Sequence, residues 1–199
     1  MSAHHERAVE HYERALELWR ELGDENGEAS GRLGLALVLF LQGDYERSIR
    51  VAREALASAR KGRDRYRIAS ILGVIGRTLG ELGDKADADY TAREALALFA
   101  EVGDSTGVSL QFDDLGEFAF RDGQPARALQ LAGAAAALRE RLAGGAPPSL
   151  VRHDDYQAQA RVALPPEEAE AAWQAGRSMD EKAAVADALG DWHPIAGRE

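Results

Sequence analysis

A repeat of 40 residues constrains this chain more than any other feature of its sequence. Gly43-Asp44 recurs as Gly83-Asp84 and then as Gly123-Gln124, and an apolar stretch with helical periodicity lies on each side of every pair. Glycine suits the left-handed residue that ends a helix, and aspartate suits the N-cap of the helix that follows. The chain is therefore predicted to run helix, tight turn, helix throughout.

Side chains also recur by size within the repeat. The small residues of the first helices are Ala36, Gly76 and Gly116. The second helices carry two series of small residues, Ala8, Ser48, Ala88 and Ala128, and then Ala15, Ala55, Ala95 and Ala135. Small residues at fixed crossing points let two antiparallel helices approach closely, so the repeat predicts helix pairs.

This pattern resembles the tetratricopeptide repeat, whose first helix carries Trp, Leu-Gly and Tyr and whose second helix carries Ala, Phe and Ala. The residues that match it best are Leu72, Ile75, Gly76 and Leu79, followed by Ala88, Ala92 and Ala95. The second-helix aromatic is kept only at Tyr12, and the closing proline is missing because this repeat exceeds the usual length of about 34 residues. The resemblance covers residues 4–143 and implies an all-α fold, a tetratricopeptide-like α-solenoid of antiparallel helix pairs.

The predicted array has an irregular start. Residues 5–22 match a second helix with no first helix before it, so they form an orphan helix, and we expect a segment to be missing before residue 1. Three helix pairs follow, at 25–42 with 45–62, 65–82 with 85–102, and 105–122 with 125–143. Residues 1–143 are therefore predicted to form one repeat array.

A different segment follows the array. Gly144-Gly145-Ala146-Pro147-Pro148 ends it, since paired glycines and consecutive prolines do not continue a helix. This linker, residues 144–148, precedes a C-terminal segment, residues 149–199. Helices are predicted there at 149–162, 166–176 and 179–189. A terminal repeat needs a cap with a polar outer face, and we expect these helices to provide it.

The C-terminal segment carries a second resemblance. Trp173-Gln174-Ala175-Gly176-Arg177-Ser178-Met179 and the stretch 126–138 resemble the ending of large regulators. Those regulators join a signal-transduction ATPase module to tetratricopeptide repeats, often with a LuxR-type DNA-binding domain. In that family the repeats sense an inducer or a partner. This sequence has neither the nucleotide site nor the DNA-binding helix pair, so the resemblance implies a regulatory module without its output.

Composition limits the partners and the compartment. A net charge of −10 and a pI near 5.0 oppose binding to a phosphate backbone, so no direct nucleic-acid contact is expected. The longest apolar run, residues 33–41, is about half of the roughly 20 residues that span a membrane, and the N-terminus lacks the apolar core of a signal peptide. The absence of cysteine suits the cytoplasm. The basic segment 45–67 breaks the acidic trend and is either a solvated surface or a site for an acidic partner.

No residues are arranged for catalysis. The sequence lacks the Gly-x-x-x-x-Gly-Lys-Ser/Thr motif of a nucleotide site, and His5 and His11 point to different faces of a helix. Asp113 and Asp114 diverge by about 100° around theirs, so only one of them can enter a groove. The cluster His153-Asp154-Asp155 is better explained by charge at a helix N-terminus than by catalysis. We expect no enzyme, no catalytic residue, no metal site and no cofactor.

The resemblance also places a binding groove. Tetratricopeptide arrays bind peptides or small ligands on the concave face that their first helices line. The candidate ligand-binding residues are Leu37 and Phe40 in the first pair, Arg77 and Glu81 in the second, and Asp113, Glu117, Phe120 and Arg121 in the third. The leucines of an apolar stripe at helical spacing have the alternative of a buried core. The charged residues are either solvated or part of a site.

The orphan helix is a second candidate surface. Val9, Tyr12, Leu16 and Trp19 lie along one stripe together with Ala15, and the following pair is expected to cover only part of it. We expect either a homodimer through residues 5–22 or a fragment of a longer regulator.

Three classes of function remain open: a protein-interaction scaffold, the sensing module of a transcription regulator, and an enzyme. The expected partner is a protein or peptide, or a small-molecule inducer, and no membrane. An open charged groove favours a peptide, and a closed apolar pocket near Leu37 and Phe40 favours a small molecule. The alternative to a sensing module is a stand-alone scaffold or homodimerisation module.

Overall fold

The computed structural model describes residues 3–142 and 154–195, and all regular secondary structure in these residues is α-helix. The helices in chain order are α1 (Ala3–Leu22), α2 (Glu25–Gln42), α3 (Tyr45–Gly62), α4 (Arg65–Leu82), α5 (Lys85–Val102), α6 (Ser105–Arg121), α7 (Pro125–Arg141), α8 (Asp154–Val162), α9 (Pro166–Arg177) and α10 (Glu181–Leu189). They follow one another as antiparallel pairs, which confirms the predicted fold class. The predicted linker 144–148, the first residues of the helix predicted at 149–162, and His153 lie outside the described residues.

The chain divides into two compact units, Met1–Thr91 and Ala92–Glu199. We call them unit 1 and unit 2. Unit 1 contains α1 to α4, unit 2 contains α6 to α10, and the boundary lies inside α5. The division predicted from the sequence, with a repeat array followed by a separate C-terminal cap, stays a prediction.

The turns form as the glycine and aspartate pattern predicts. Gly43 has a φ angle of 80° and ends α2 in the left-handed region. Asp44 then caps α3, because its side chain accepts a hydrogen bond from the backbone N–H of Arg47 at 3.2 Å. Asp24 caps α2 and Asp64 caps α4 in the same way. Each side chain accepts a hydrogen bond from the backbone N–H three residues later, at 2.9 Å in each case.

One turn departs from this pattern. Arg63 has a φ angle of 53°, and among the described residues it is the one non-glycine residue with a positive φ. The glycine of this turn, Gly62, stands one residue earlier and ends α3. A β-carbon in the left-handed region costs about 1–2 kcal/mol, so this turn is strained relative to its equivalents.

Replacing Arg63 by glycine is expected to raise the free energy of unfolding by about 1 kcal/mol, because it removes the β-carbon from a left-handed residue. Urea denaturation of the whole chain measures the change. The matched control is Gly43→Arg, which should lower stability by a similar amount. A lower stability for Arg63→Gly would contradict the strain.

In unit 1, α1 packs on α2 through aromatic rings that lie on glycines. The Trp19 ring lies over Gly27 and Gly31, and the Tyr12 ring lies over Gly34. A β-carbon at any of these glycines would overlap the ring above it. Because the three glycines carry no side chain, the aromatic rings of α1 pack directly on the backbone of α2.

The same packing revises the expected oligomer interface on α1. Val9 and Leu16 are only 8% and 4% exposed and pack in one cluster with Leu35 and Leu39 of α2. α2 therefore covers Val9 and Leu16, whereas Tyr12 and Trp19 of the same stripe are only half-buried, and an oligomer interface through this stripe stays a prediction. Val9 and Leu16 are covered because the glycines let α2 approach closely.

Small residues also bring α2, α3 and α4 together. Ser48 of α3 is fully buried, and its hydroxyl donates to the carbonyl oxygen of Ala36 at 2.8 Å. Thr78 of α4 is buried beside it, with 3.3 Å between the two hydroxyl oxygens, and donates to the carbonyl oxygen of Val74 at 2.7 Å. Both buried hydroxyls are therefore satisfied by hydrogen bonds, as close packing requires.

In unit 2, α7 packs against α6 on one side and α9 on the other. The contact between α7 and α9 joins the two backbones at glycines. A β-carbon on Gly176 would overlap the carbonyl oxygen of Gln130, and one on Gly133 would overlap the carbonyl oxygen of Trp173. The Trp173–Met179 stretch that resembles a regulator ending therefore packs α9 on α7.

The last helix, α10, is held mainly by polar contacts. The hydrogen bonds that hold it within unit 2 include Ser105 Oγ to Glu181 at 2.8 Å, Arg93 to the Leu189 carbonyl oxygen at 3.2 Å, and Arg127 to the Asp187 carbonyl oxygen at 2.8 Å. Its buried side chains are the alanines at 184 and 188. Such an element suits the capping role expected for the C-terminal helices, which remains a proposal.

Gly176→Ala is expected to lower the free energy of unfolding by about 1–3 kcal/mol, because the new β-carbon has only backbone atoms to displace. Thermal and urea denaturation measure this loss. The control is Gly62→Ala, where nothing lies within 4 Å of the added atom and stability should hold or rise. Equal stabilities for the Gly176 variant and the wild type would contradict a backbone contact.

Candidate binding surface around Phe40

The eight residues that the sequence proposes for a ligand fall into two groups, one in each unit. The unit 1 group is Leu37, Phe40, Arg77 and Glu81, and the unit 2 group is Asp113, Glu117, Phe120 and Arg121. The two groups have different surroundings, which decide how much of each can meet a partner.

Phe40 is the centre of the unit 1 group. It is half-buried near the end of α2, and the Tyr45 ring at the start of α3 lies with its centroid 5.6 Å away and its plane tilted by 51°. The guanidinium carbon of Arg77 lies over the Phe40 ring, 6.0 Å from the centroid. A tilted aromatic pair and a cation over a ring each contribute about 0.5–1.5 kcal/mol, so three helices converge on one ring.

Arg77 and Glu81 form the charged edge of this group. They lie one turn apart on α4, and Arg77 Nε donates to the carbonyl oxygen of Gly73 at 3.3 Å, which holds the side chain in place. Glu81 is exposed and accepts a hydrogen bond from the Tyr45 hydroxyl at 3.4 Å. A positive and a negative group thus stand beside the aromatic pair.

Leu37 completes the apolar part of the surface. It lies on α2 about one turn before Phe40 and is half-buried. We call Leu37, Phe40, Tyr45, Arg77 and Glu81 together the Phe40 surface. It offers a side chain from another molecule an apolar contact, a cation and a carboxylate within one small area.

Tyr45 is the member that sequence reasoning missed. The resemblance places the groove on the first helices, whereas Tyr45 is the first residue of a second helix. Its repeat equivalents, Lys85 and Pro125, are not aromatic, so the periodicity gave no sign of it. The signal available was an aromatic residue directly after the aspartate cap, five residues from Phe40.

In the unit 2 group, Asp113 does not line a groove. Its side chain is 3% exposed and accepts a hydrogen bond from Arg139 of α7 at 2.5 Å. Asp114 is buried as well, and the amide of Gln111 donates to it at 3.2 Å. The groove position proposed for Asp113 is therefore corrected, because its carboxylate is buried against Arg139.

The rest of the unit 2 group lies beside α8. The Tyr156 ring of α8 lies 6.4 Å from the Phe120 ring, and Tyr156 itself is 4% exposed. Glu117 and Arg121 pair with each other at 2.5 Å on α6. The C-terminal segment thus packs against the apolar member of this group, which stays half-buried, and leaves its ion pair at the edge.

Neither a metal centre nor a membrane span is found in the part of the chain that the structure describes. Across residues 3–142 and 154–195, no three histidine, cysteine, aspartate or glutamate side chains are grouped as a metal ion would require. No helix in these ranges is both long enough and apolar enough to cross a membrane. Asp154 and Asp155 are the first two residues of α8, and their interaction with the helix dipole stays a prediction.

Comparison with known proteins matches most of the chain to one kind of repeat. Models of the tetratricopeptide repeat match residues 4–61 and 29–101, and a further such model matches residues 111–153. The crystal structure of BtubC (BKLC) from P. vanneervenii is similar in fold, with a TM-score of 0.64 and 19% sequence identity over 99% of this chain and 79% of that chain. At this identity the likeness concerns the fold alone. No curated protein matches the sequence.

The phenol of Tyr156 provides a test of whether α8 is packed into unit 2. Burial raises the pKa of its phenol, and the Asp113 carboxylate raises it further. The unfolded chain releases the phenol proton near pH 10, whereas the folded chain keeps it to higher pH. The contribution of Tyr156 to the free energy of unfolding is therefore fully present below pH 10. Above that pH it is lost by up to about 1.4 kcal/mol per pH unit. Denaturant unfolding between about pH 9 and pH 11.5 should therefore show a steeper loss for the wild type than for Tyr156→Phe.

The matched control is Tyr66→Phe, since Tyr66 is 58% exposed and should not change the slope. Parallel alkaline profiles for the wild type and Tyr156→Phe would contradict the burial of this phenol.

Proposed function

Because the chain belongs to the tetratricopeptide repeat family, we propose that it is a non-enzymatic protein-interaction module that binds an extended peptide segment of another protein at the Phe40 surface. Repeats of this family generally mediate contacts between proteins, and the helical fold is of the same kind. Membership of the family does not identify a binding site. The Phe40 surface provides the residues and the kinds of contact by which a peptide would bind.

The observation that carries the proposal is the convergence of α2, α3 and α4 on the Phe40 ring. Tyr45 and Arg77 both contact this ring, and Glu81 is exposed beside them. Aromatic residues and arginine are enriched at the energetic centres of protein interfaces. An apolar peptide side chain can pack against Phe40 and Leu37 while a peptide carboxylate pairs with Arg77.

A peptide fits this surface better than a small inducer. Arg77 is partly exposed and Glu81 is exposed, so the charged groups open towards solvent. A small apolar ligand needs a cavity that encloses most of its area, whereas a peptide needs a row of contacts on an open face. Binding of a small inducer remains the second candidate for the same residues.

We make a separate, smaller proposal for the unit 2 group, which is a charged contact with a partner. Glu117 and Arg121 form an ion pair near the end of α6, and a charged partner would bind there by competing for this pair. Asp113 is left out because its carboxylate is buried against Arg139. Phe120 is left out because it packs against the buried cluster that Tyr156 forms with alanines and a leucine of α7, α8 and α9.

A regulatory role is a finer proposal that rests on the resemblance of the C-terminal segment to regulator endings. In such a role the module senses a partner for an output domain on the same polypeptide. A reading frame that encodes a nucleotide-binding module ahead of Met1 would support it. A frame that starts at Met1 would favour the stand-alone scaffold.

The binding proposal can be tested by selecting peptides from a displayed random library on the full chain. The selected peptide is then titrated by fluorescence anisotropy against the wild type, Arg77→Ala and Arg121→Ala. We expect Arg77→Ala to weaken binding about tenfold, because it removes the positive charge that lies over the Phe40 ring. The control is Arg53→Ala, which removes an exposed arginine from the middle of α3 and should leave the affinity unchanged.

Equal affinities for the wild type and Arg77→Ala would exclude the Phe40 surface as the site of that peptide. A loss confined to Arg121→Ala would move the site to the unit 2 group. Far-ultraviolet circular dichroism of each variant confirms that the fold is retained.

A further inference from the structure

The turn between α3 and α4 concentrates positive charge in a chain whose net charge is −10. Residues 60–67 contain five cations and one carboxylate, that of Asp64. The cations, which we call the basic turn, are Arg60, Lys61, Arg63, Arg65 and Arg67. The basic turn lies at the opposite end of α3 from Tyr45, so the rise of the helix separates it from the Phe40 surface by about 25 Å.

The one carboxylate within the basic turn is already engaged by α4. Asp64 accepts the capping hydrogen bond from the Arg67 backbone N–H, and its second oxygen pairs with the Arg67 guanidinium at 3.4 Å. Arg67 also donates to Asn26 of α2 at 3.2 Å. Lys61 and Arg63 are exposed, and no carboxylate of the described residues lies within ion-pair distance of either. These two cations therefore remain open to a partner.

Arg63 stands where the other turns of the array have glycine. Its equivalents, at a spacing of 20 residues, are Gly23, Gly43, Gly83, Gly103 and Gly123. Arg63 keeps a β-carbon at a φ angle of 53°, which strains the backbone. Strain of this kind is concentrated at binding and catalytic sites, where the function of the side chain compensates for it. A glycine here would relax the turn but would remove a cation.

Arg65 is a second departure from local stability. It lies with Arg67 in the first turn of α4, which holds no acidic residue. The helix dipole disfavours cations at this end of a helix. Arg60 and Lys61, in contrast, lie in the last turn of α3, where the dipole favours them. Helix stability therefore accounts for Arg60 and Lys61 but not for Arg63 and Arg65.

An aromatic side chain accompanies the charge. Tyr66 lies between Arg65 and Arg67 in the sequence and is 58% exposed. A β-carbon built on Gly62 has nothing within 4 Å, so the end of α3 is open to an approaching chain. Tyrosine and arginine are among the residues that most often dominate the binding energy of protein interfaces.

We propose that the basic turn binds an acidic segment of another protein, rich in glutamate or aspartate, at a site separate from the Phe40 surface. Arginine forms paired hydrogen bonds with carboxylates, and the cations of the basic turn lie close enough together to meet several carboxylates of one segment. The positive charge complements such a segment, and the exposed ring of Tyr66 provides an apolar contact beside it.

The surroundings of the basic turn favour a short acidic segment over a nucleic acid. Because Arg67 reaches Asn26, the turn between α1 and α2 lies beside the basic turn, and it carries the exposed carboxylates of Asp24 and Glu25. A phosphate backbone binds along an extended basic surface, whereas this surface is bounded by negative charge. A short segment can avoid these carboxylates, and a long polyanion would meet them.

Fluorescence anisotropy of the full chain with a fluorescein-labelled oligoglutamate peptide tests the proposal. At an ionic strength of about 0.1 M we expect saturable binding with a dissociation constant on the order of 100 µM, and added salt should weaken it. Arg63→Gly should weaken binding about threefold, because it removes one exposed cation. The urea midpoint of the same variant should rise, because the strain is relieved. A purely structural role for Arg63 would not move binding and stability in opposite directions.

Two control variants separate charge at the turn from strain and from charge elsewhere. Arg63→Lys keeps both the cation and the β-carbon, so its affinity and its urea midpoint should stay close to those of the wild type. Arg53→Ala removes an exposed arginine about 15 Å away along α3, which exceeds the Debye length of about 10 Å at this ionic strength. Its affinity should be unchanged.

Equal affinities for Arg63→Gly and the wild type would overturn the proposal. It would also be overturned by a wild type that shows no saturable binding up to about 1 mM protein. Tighter binding of an oligothymidine strand of the same length would reassign the basic turn to nucleic acid and exclude the acidic segment. Circular dichroism of each variant shows whether the helices are kept, so a loss of binding is separated from a loss of fold.

Discussion

The structure depends on close approach between helix backbones at glycine, alanine and serine. In unit 1, the rings of Tyr12 and Trp19 lie directly on glycines of α2. In unit 2, α7 and α9 touch at Gly133 and Gly176, with no room for a β-carbon on either. Side chains of this size bury little apolar area each, so the helices must come close enough for backbone and ring contacts to replace the area that larger side chains would bury.

The same constraint decides which residues remain available for binding. Phe40, Tyr45 and Glu81 all lie at or near the ends of their helices. The Phe40 surface forms there because α2 ends, α3 begins and α4 ends in the same region of unit 1.

Much of the local structure could be predicted from the sequence. The bounds of the helices from α2 to α5 follow from the spacing of Gly-Asp pairs, because a left-handed glycine and an aspartate cap are set by a few adjacent residues. Arg63 shows that the turn is kept even where the glycine is displaced by one residue. Half of the proposed site residues also converge in unit 1. The contacts made by Tyr45 and Arg139 could not be predicted, because they depend on which helices lie close in space. Neither residue recurs at the 40-residue period.

By itself the sequence determined the helical class, the 40-residue register, the turns and the family, since all of these depend on residues close together in the chain or on their repetition. Only the tertiary structure decided which faces are covered. It buried Asp113 against Arg139, placed Tyr156 beside Phe120, and covered Val9 and Leu16 while leaving the other side of α1 open. The physical reason is that an apolar stripe predicts burial but not the partner, and the partner is selected by the sizes of side chains on helices far apart in sequence.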